Sequence, residues 1–375
     1  MIRITKILTI NLLLFLIIIL SIETISFFGR YLLDKTNVGW VYRSESQILN
    51  EQPCALMKTH PVLGHVSDHK NKCNIKGGYA IDSFVFYGDK SENIKLPAII
   101  ALGGSTTSGL YQQFANGDTY PYLLSQMVNK KGYQVINGGL GGYTSSQELL
   151  KLIIEVRALK YKSPIVINLS GINDMGTRSY ENPFLNDTVQ MMFNRQLWID
   201  QSFLPRFLPN IWSLVRRFSP SLEGDVKINK TSSIFKKLEP YEVWEMNIKS
   251  MSEISNSMGA KYFTFLQPTM MLEGVQSQLP KDINSNDYKM VKAFKENFNW
   301  KEGYQLDYVD KLRHNYKKMI EACRELDFCY DISDIAPPTG NNYSNPRHHN
   351  SNGNKIIANE IYSILFKELA VELGQ

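Results

Sequence analysis

From Pro97 onward the chain alternates short apolar runs with longer amphipathic stretches. PAIIALGG ends in glycines and reads as a strand, and TYPYLLSQMVNKKG follows as a helix with Thr119 as N-cap and Gly132 as its stop. YQVING is a second strand. TSSQELLKLIIEVRALK then sets Leu149, Leu150, Ile153, Ile154 and Val156 on one helical side, with Thr144 or Ser145 as cap and Glu148 in the first turn. SPIVINLSG, rich in β-branched residues, is a third strand. The rhythm resumes later with a helix over roughly 239–258, the strand KYFTFL, a long helix over roughly 304–326, the strand FCYDIS, and a closing helix in NSNGNKIIANEIYSILFKELAVEL. Strands alternating with helices predict a parallel sheet covered on both faces. Five such strands fit a flavodoxin-like three-layer α/β sandwich over residues 96–375, which binds ligands beyond the carboxyl ends of its strands. Two stretches, near 175–235 and 270–302, break the rhythm with aromatics and prolines (PFLND, FLPRFLPNIW) and read as insertions.

The N-terminus follows a different pattern. Arg3 and Lys6 precede ILTINLLLFLIIILSI, which carries no charge from Ile7 to Ile22. As a helix that run spans roughly 24 Å, slightly short of a bilayer core, and continuing to Phe28 brings it to about 33 Å. SIETISFFGR offers no small-residue cleavage site. Residues 1–28 are therefore expected to be an uncleaved signal anchor, a single transmembrane helix, with a cleaved signal peptide as the alternative. Positive charge before the run places the body on the periplasmic or extracellular side. Residues 29–95 show weak periodicity and are expected to be a loop-rich extension.

Composition narrows the function. Forty-one Lys and Arg against 36 Asp and Glu give a formal charge of +5, spread without a basic block, so nucleic acid is not the expected partner. The four Cys contain no CxxC pair, which counts against a structural zinc site. In an exported body, pairing Cys54 with Cys73 and Cys323 with Cys329 is the simplest connectivity. His60, His65 and His69 match no common ligand spacing and are expected to be surface histidines, so no metal site and no cofactor are assigned. The aromatic stretch around Phe193–Phe218 is expected to pack over the sheet, with a lid or membrane-facing role as the alternative. Arg216, Arg217 and Lys227 are weak pointers to anionic lipid.

The informative residues sit where strands end. Gly103-Gly104-Ser105-Thr106 follows the first strand, Asn137-Gly138-Gly139-Leu140-Gly141-Gly142-Tyr143-Thr144 the second, and Gly171-Ile172-Asn173-Asp174 the third. Asn345-Pro346-Arg347-His348-His349 precedes the closing helix. In a parallel sheet these loops emerge on one edge, where residues distant in sequence meet. A serine hydroxyl near a helix start, with a histidine as general base, is suited to acyl transfer. The Ser105 N–H, the Gly142 N–H and the Asn173 side-chain amide are suitable donors to an oxyanion. The glycine loop does not fit a dinucleotide fingerprint, because counting from Gly139 the last position of G-x-G-x-x-G is Thr144.

In these four blocks, taken in order, the sequence resembles the SGNH (GDSL-type) hydrolases over roughly residues 97–370. The resemblance implies Ser105 in ALGGSTTSG as nucleophile, Gly142 in NGGLGGYTS and Asn173 in GIND as oxyanion donors, and His348, five residues before Gly353, as the base. His349 is its off-register neighbour. Two departures stand out. Gly104 replaces the Asp of the GDS signature, a change expected to be tolerated. Asn345 occupies the place of the triad acid, and the equivalent Asp-to-Asn change in a serine protease lowers kcat about ten-thousandfold. Three readings remain open: a Ser–His dyad oriented by Asn345 or a backbone carbonyl, an acid from elsewhere such as Asp334, or a site that has lost hydrolytic power. The resemblance implies a serine esterase acting on ester-bearing small molecules, glycans or lipids, with envelope O-acetyl groups as the expected substrates. An O-acyltransferase using the same site and an inactive SGNH-like glycan-binding protein are the alternatives.

Overall fold

In the computed structural model, the described residues are 2–36, 57–60, 62–67, 75–88, 97–109, 118–159, 161, 164–176, 208, 210–211, 238–269, 304–337, 341–345 and 347–372. They fall into two compact units, one from residues 1–52 and 192–230 and the other from 53–191 and 231–375. Both predicted insertions lie largely outside the described residues. So do Cys54, Cys73, His69, Arg216, Arg217 and Lys227.

The first unit contains helix α1 (Ile2–Thr36), which runs 35 residues where 28 were expected. Glu23, its one acidic residue before the last turn, accepts from the Asn210 and Ile211 backbone N–H groups at 2.7 and 3.1 Å. Ile10, Phe15, Ile18, Leu20, Ile25 and Phe28 are all more than half exposed (55–71%). Among the described residues no helix is long and apolar enough to cross a membrane, so the expected span over residues 1–28 is not established.

The second unit begins with two hairpins, β1 (Met57–His60) with β2 (Gly64–Ser67), and β3 (Gly78–Ile81) with β4 (Phe84–Tyr87). The predicted alternation follows: β5 (Ala98–Gly103), α2 (Ser105–Ser108), α3 (Tyr120–Val128), β6 (Gln134–Asn137), α4 (Ser145–Ile154) and β7 (Ile165–Ser170). Next come α5 (Pro240–Ser257), β8 (Lys261–Leu266), α6 (Tyr304–Arg324), β9 (Cys329–Asp331), the small hairpin β10 (Tyr343–Asn345) and β11 (His348–His349), and α7 (Ser351–Glu372). The main sheet has seven strands in the order β3-β4-β6-β5-β7-β8-β9. Its five parallel members are the five that the sequence predicts. The two extra strands correct the five-stranded expectation. They come from residues 78–87, where GYAI and FVFY are short, and FVFY, buried throughout, shows no alternation. Asp82 at φ 51° turns the chain between them, and β4 then pairs antiparallel with β6.

Alternate residues of each parallel strand feed two cores, as a period of two requires. Ile100, Leu102 and Val166 pack with Leu152, Trp244, Ile248, Met251 and Tyr316 of α4, α5 and α6. Ile99, Ala101, Ile167 and Leu169 pack with Tyr120, Leu124 and Val128 of α3 and Ile357, Ile361 and Leu365 of α7. This is the expected three-layer sandwich. The Thr119 hydroxyl caps α3 by accepting from Tyr122 N–H at 3.4 Å, and Gly132 closes it at φ 79°. Helix α4 departs from its predicted face. Ile153 and Ile154 are exposed, while Glu148 and Lys151 are buried. Both polar residues are tolerated inside because each has partners. Glu148 accepts from the Ser170 hydroxyl at 2.7 Å, and Lys151 donates to Ser83 at 2.9 Å, pairs with Glu155 at 2.5 Å and lies over the Phe84 ring at 4.3 Å. A disulfide joins Cys323 to Cys329, closing the turn between α6 and β9 as expected.

Candidate active site

The parallel register sets the carboxyl ends of β5, β6 and β7 side by side, so the loops that leave them meet. Ser105 opens the short helix α2, with Gly104 as N-cap at φ −82°. Opposite it, the β10–β11 hairpin carries His348, whose Nε2 lies 2.6 Å from the Ser105 Oγ although the two residues are 243 positions apart. With the ring proton on Nδ1, Nε2 accepts from the serine hydroxyl, the geometry that general-base activation needs. Burial first, and then the charge of neighbouring Arg347, lower the His348 pKa to about 4. It is a neutral but weak base.

The loop after β7 reaches Gly104 and Tyr143, beside the serine. Asn173 Nδ2 donates to the Tyr143 carbonyl at 2.8 Å, which leaves its second N–H for a ligand. The same nitrogen lies 2.5 Å from where a Cβ on Gly104 would stand, so the amide occupies the space a side chain at 104 would fill. Gly142, at φ 79°, adopts a left-handed turn open to glycine. Next to Asn173, the buried Asp174 carboxylate accepts from Ser145 N–H at 3.0 and 3.1 Å and from Ser145 Oγ at 2.5 Å. Asn247 of α5 donates to the same hydroxyl at 2.9 Å. Burial raises the Asp174 pKa to about 6, against the Ser145 hydrogen bonds that lower it, and burial followed by the Asp174 charge pushes Glu148 well above its ordinary value. The sequence assigned no role to Asp174 and did not point to Asn247, because such pairings have no periodicity to reveal them.

The structure brings Ser105, Gly142-Tyr143, Asn173 and His348 to one strand edge. Asn345 pairs through its backbone with His348, and its side chain lies outside what is described. Asp334, the substitute acid, is exposed in the turn after β9. His349 is separated from the serine by its place in the hairpin: it is fully buried, its ring 4.4 Å from that of Tyr343. Burial, then His348, lowers its pKa to about 3. A folded pKa below the unfolded value near 6.5 means that the unfolded chain binds the extra proton, so stability is lost as pH falls through 6.5. Replacing His349 with Leu removes that linkage. From pH 7 to 4.5 the variant is expected to gain on the wild type by about 2 kcal/mol, read as a widening gap between their thermal midpoints.

His65 corrects the expectation of surface histidines. It is wholly buried, with a pKa that burial lowers to about 4, and it touches the loop that carries Gly142. His60 is half-buried and its Nδ1 accepts from Leu63 N–H at 3.0 Å within the β1–β2 turn. Among the described residues, no group of three His, Cys, Asp or Glu is placed to hold a metal ion.

No protein-family model matches the sequence, and no curated protein matches it. Solved structures that the chain matches include a GDSL-like lipase from Bacteroides thetaiotaomicron, 12% identical, covering 74% of this chain and 91% of that one at a TM-score of 0.36. A psychrotrophic esterase from Pseudoalteromonas sp. is 14% identical over 74% of this chain and 99% of its own, at 0.35. A lipase/acylhydrolase from Enterococcus faecalis is 14% identical over 72% and 96%, at 0.36. At such identities and scores these likenesses carry no argument, and the fold and the chemistry assigned to this site rest on its own geometry.

Proposed function

We propose that the protein is a serine esterase working through an acyl-enzyme on Ser105. The observation that carries this reading is the 2.6 Å contact between Ser105 Oγ and His348 Nε2. Ser105 Oγ attacks the acyl carbon while its proton passes to His348 Nε2. The carbonyl electron pair moves onto the oxygen, where the Ser105 N–H, Gly142 N–H and Asn173 amide hold it. Collapse of the intermediate expels the alcohol, which takes the proton back from His348. Water then repeats the sequence on the acyl-enzyme and releases the acid. Asn345, in place of a carboxylate, supplies no negative charge to the imidazolium, so the pair works as a dyad.

The substrates proposed are O-acyl esters of envelope glycans or lipids, with the body outside the cytoplasm and α1 in the lipid as its anchor. Two features support that placement: the exposed apolar side chains of α1, and a disulfide of the kind that persists in oxidising compartments. A fluorophosphonate probe is expected to label Ser105 in the wild type and not in Ser105→Ala. Absence of labelling beside an active control enzyme would overturn the esterase reading and leave a non-catalytic glycan-binding protein. Transfer to a glycan hydroxyl uses the same intermediate, and acylated glycan in place of free acid among the products would favour it.

The pH profile follows from burial. A base is active when neutral, above its own pKa, so the acid limb of kcat/KM is expected near pH 4 and not near the ordinary imidazole value of about 6.5. A shoulder near pH 6 would belong to Asp174, and Asp174→Asn would remove it. A single limb at pH 6.5 or higher would mean that a carboxylate does support the imidazole.

A further inference from the structure

The oxyanion loop is gripped from outside the catalytic motifs. The β1–β2 hairpin, part of the region where little structure was expected, is locked to it on both sides of Gly142. His65 Nε2 lies 2.9 Å from the Gly141 carbonyl oxygen, and the Tyr143 hydroxyl donates to the His65 carbonyl at 2.6 Å. The two rings meet edge to face, with centroids 5.1 Å apart. Two residues before His65, the Leu63 carbonyl accepts from Gln147 Nε2 at 2.9 Å, tying the hairpin to the first turn of α4. Leu63, His65 and Val66 are all nearly inaccessible, so this segment is seated in the molecule and does not trail from it.

One covalent fact turns this grip into a functional statement. The Gly141 C=O and the Gly142 N–H belong to a single planar peptide unit, in which a trans bond points carbonyl and N–H in opposite directions. A carbonyl oxygen only accepts, so His65 Nε2 carries the proton in this contact. Holding the carbonyl on one side fixes the direction of the N–H on the other. Donation to the oxygen also polarises the unit and strengthens the N–H as a donor. Gly142 has the freedom of a glycine at φ 79°, so this peptide could otherwise rotate at little cost.

We propose that His65 is a positioning residue for the oxyanion hole: through the Gly141 carbonyl it aims the Gly142 N–H at the developing oxyanion. This rests on the esterase reading and adds to it a residue outside the four motif blocks. Because the oxyanion exists only after attack, the contribution belongs to the transition state and not to substrate binding.

The experiment compares His65→Leu, which keeps bulk and removes the donor, with His65→Gln, whose Nε2 can reach the same carbonyl. Turnover of a chromogenic acetyl ester by the full chain is measured with thermal midpoints alongside. His65→Leu is expected to lower kcat about 30-fold with KM within twofold, a part of the 10²–10³ that losing an oxyanion donor outright costs. His65→Gln is expected to recover most of that loss, and a boronic acid that mimics the tetrahedral oxyanion should weaken in step with kcat. If His65→Leu proves too unstable to assay, Tyr143→Phe, which removes the other side of the grip, is expected to give a smaller loss confined to kcat. Wild-type turnover with an unchanged kcat in these variants, a loss seen in KM alone, or no recovery with Gln would overturn the role of His65. Absence of both turnover and fluorophosphonate labelling in the wild type would instead overturn the esterase reading.

Discussion

Ser105→Ala is expected to lose ester turnover by at least about 10⁴-fold while the protein stays folded. The nucleophile is the one group that no neighbour replaces. His348 can deprotonate water, but the serine hydroxyl is held covalently on the chain 2.6 Å from its Nε2. Residual activity would come from the oxyanion donors alone. The structural cost is small. The change removes a single hydroxyl and one hydrogen bond, about 1 kcal/mol, and leaves the Ser105 carbonyl that accepts from Gly109 N–H at the end of α2 in place. Circular dichroism and the thermal midpoint should therefore match the wild type within a few degrees. A variant that keeps a tenth of wild-type turnover would place the nucleophile elsewhere.

Gly104→Asp, which installs the residue that the GDS signature has at this position, is expected to lower kcat about 10²-fold or more. The conflict lies in space: a Cβ there would stand 2.5 Å from Asn173 Nδ2 and 3.3 Å from the Tyr143 carbonyl. The amide is the far end of a side chain and swings away at little cost to folding. In doing so it gives up its hydrogen bond to Tyr143 and its place beside residue 104. Stability should change little while catalysis collapses, and Gly104→Ala should already show most of the loss. Measuring kcat and the thermal midpoint for both variants checks this. Unaltered turnover in Gly104→Asp would remove Asn173 from the oxyanion hole.

The five parallel strands and the helices between them were legible because their apolar positions repeat at the periods of strand and helix. The register of His348 was legible for a different reason. It was read from a motif spacing to Gly353, and the glycine has a physical reason to be there: a Cβ on Gly353 would lie 2.1 Å from the Asn342 carbonyl and 2.9 Å from the His349 Cβ. Misreadings occurred where polar residues are buried in pairs. Helix α4 looked as if its isoleucines faced inward, whereas Lys151 is inside because Ser83, 68 residues earlier, and Glu155 satisfy it. Periodicity cannot register such a partner. His65 was missed for the same reason, since its partner at Gly141 is a backbone carbonyl 76 residues away and carries no side-chain signature.

The pairing of β4 with β6 has a practical corollary. The boundary that the motifs alone recommend, near residue 96, would cut away Phe84–Tyr87, the strand that covers Gln134–Asn137 along one side. Val135 and Ile136, now wholly enclosed, would line an open row of backbone donors and acceptors. Such a row recruits strands from other molecules. A shortened version cut to the motif-bearing residues would therefore tend to precipitate before its chemistry could be assayed.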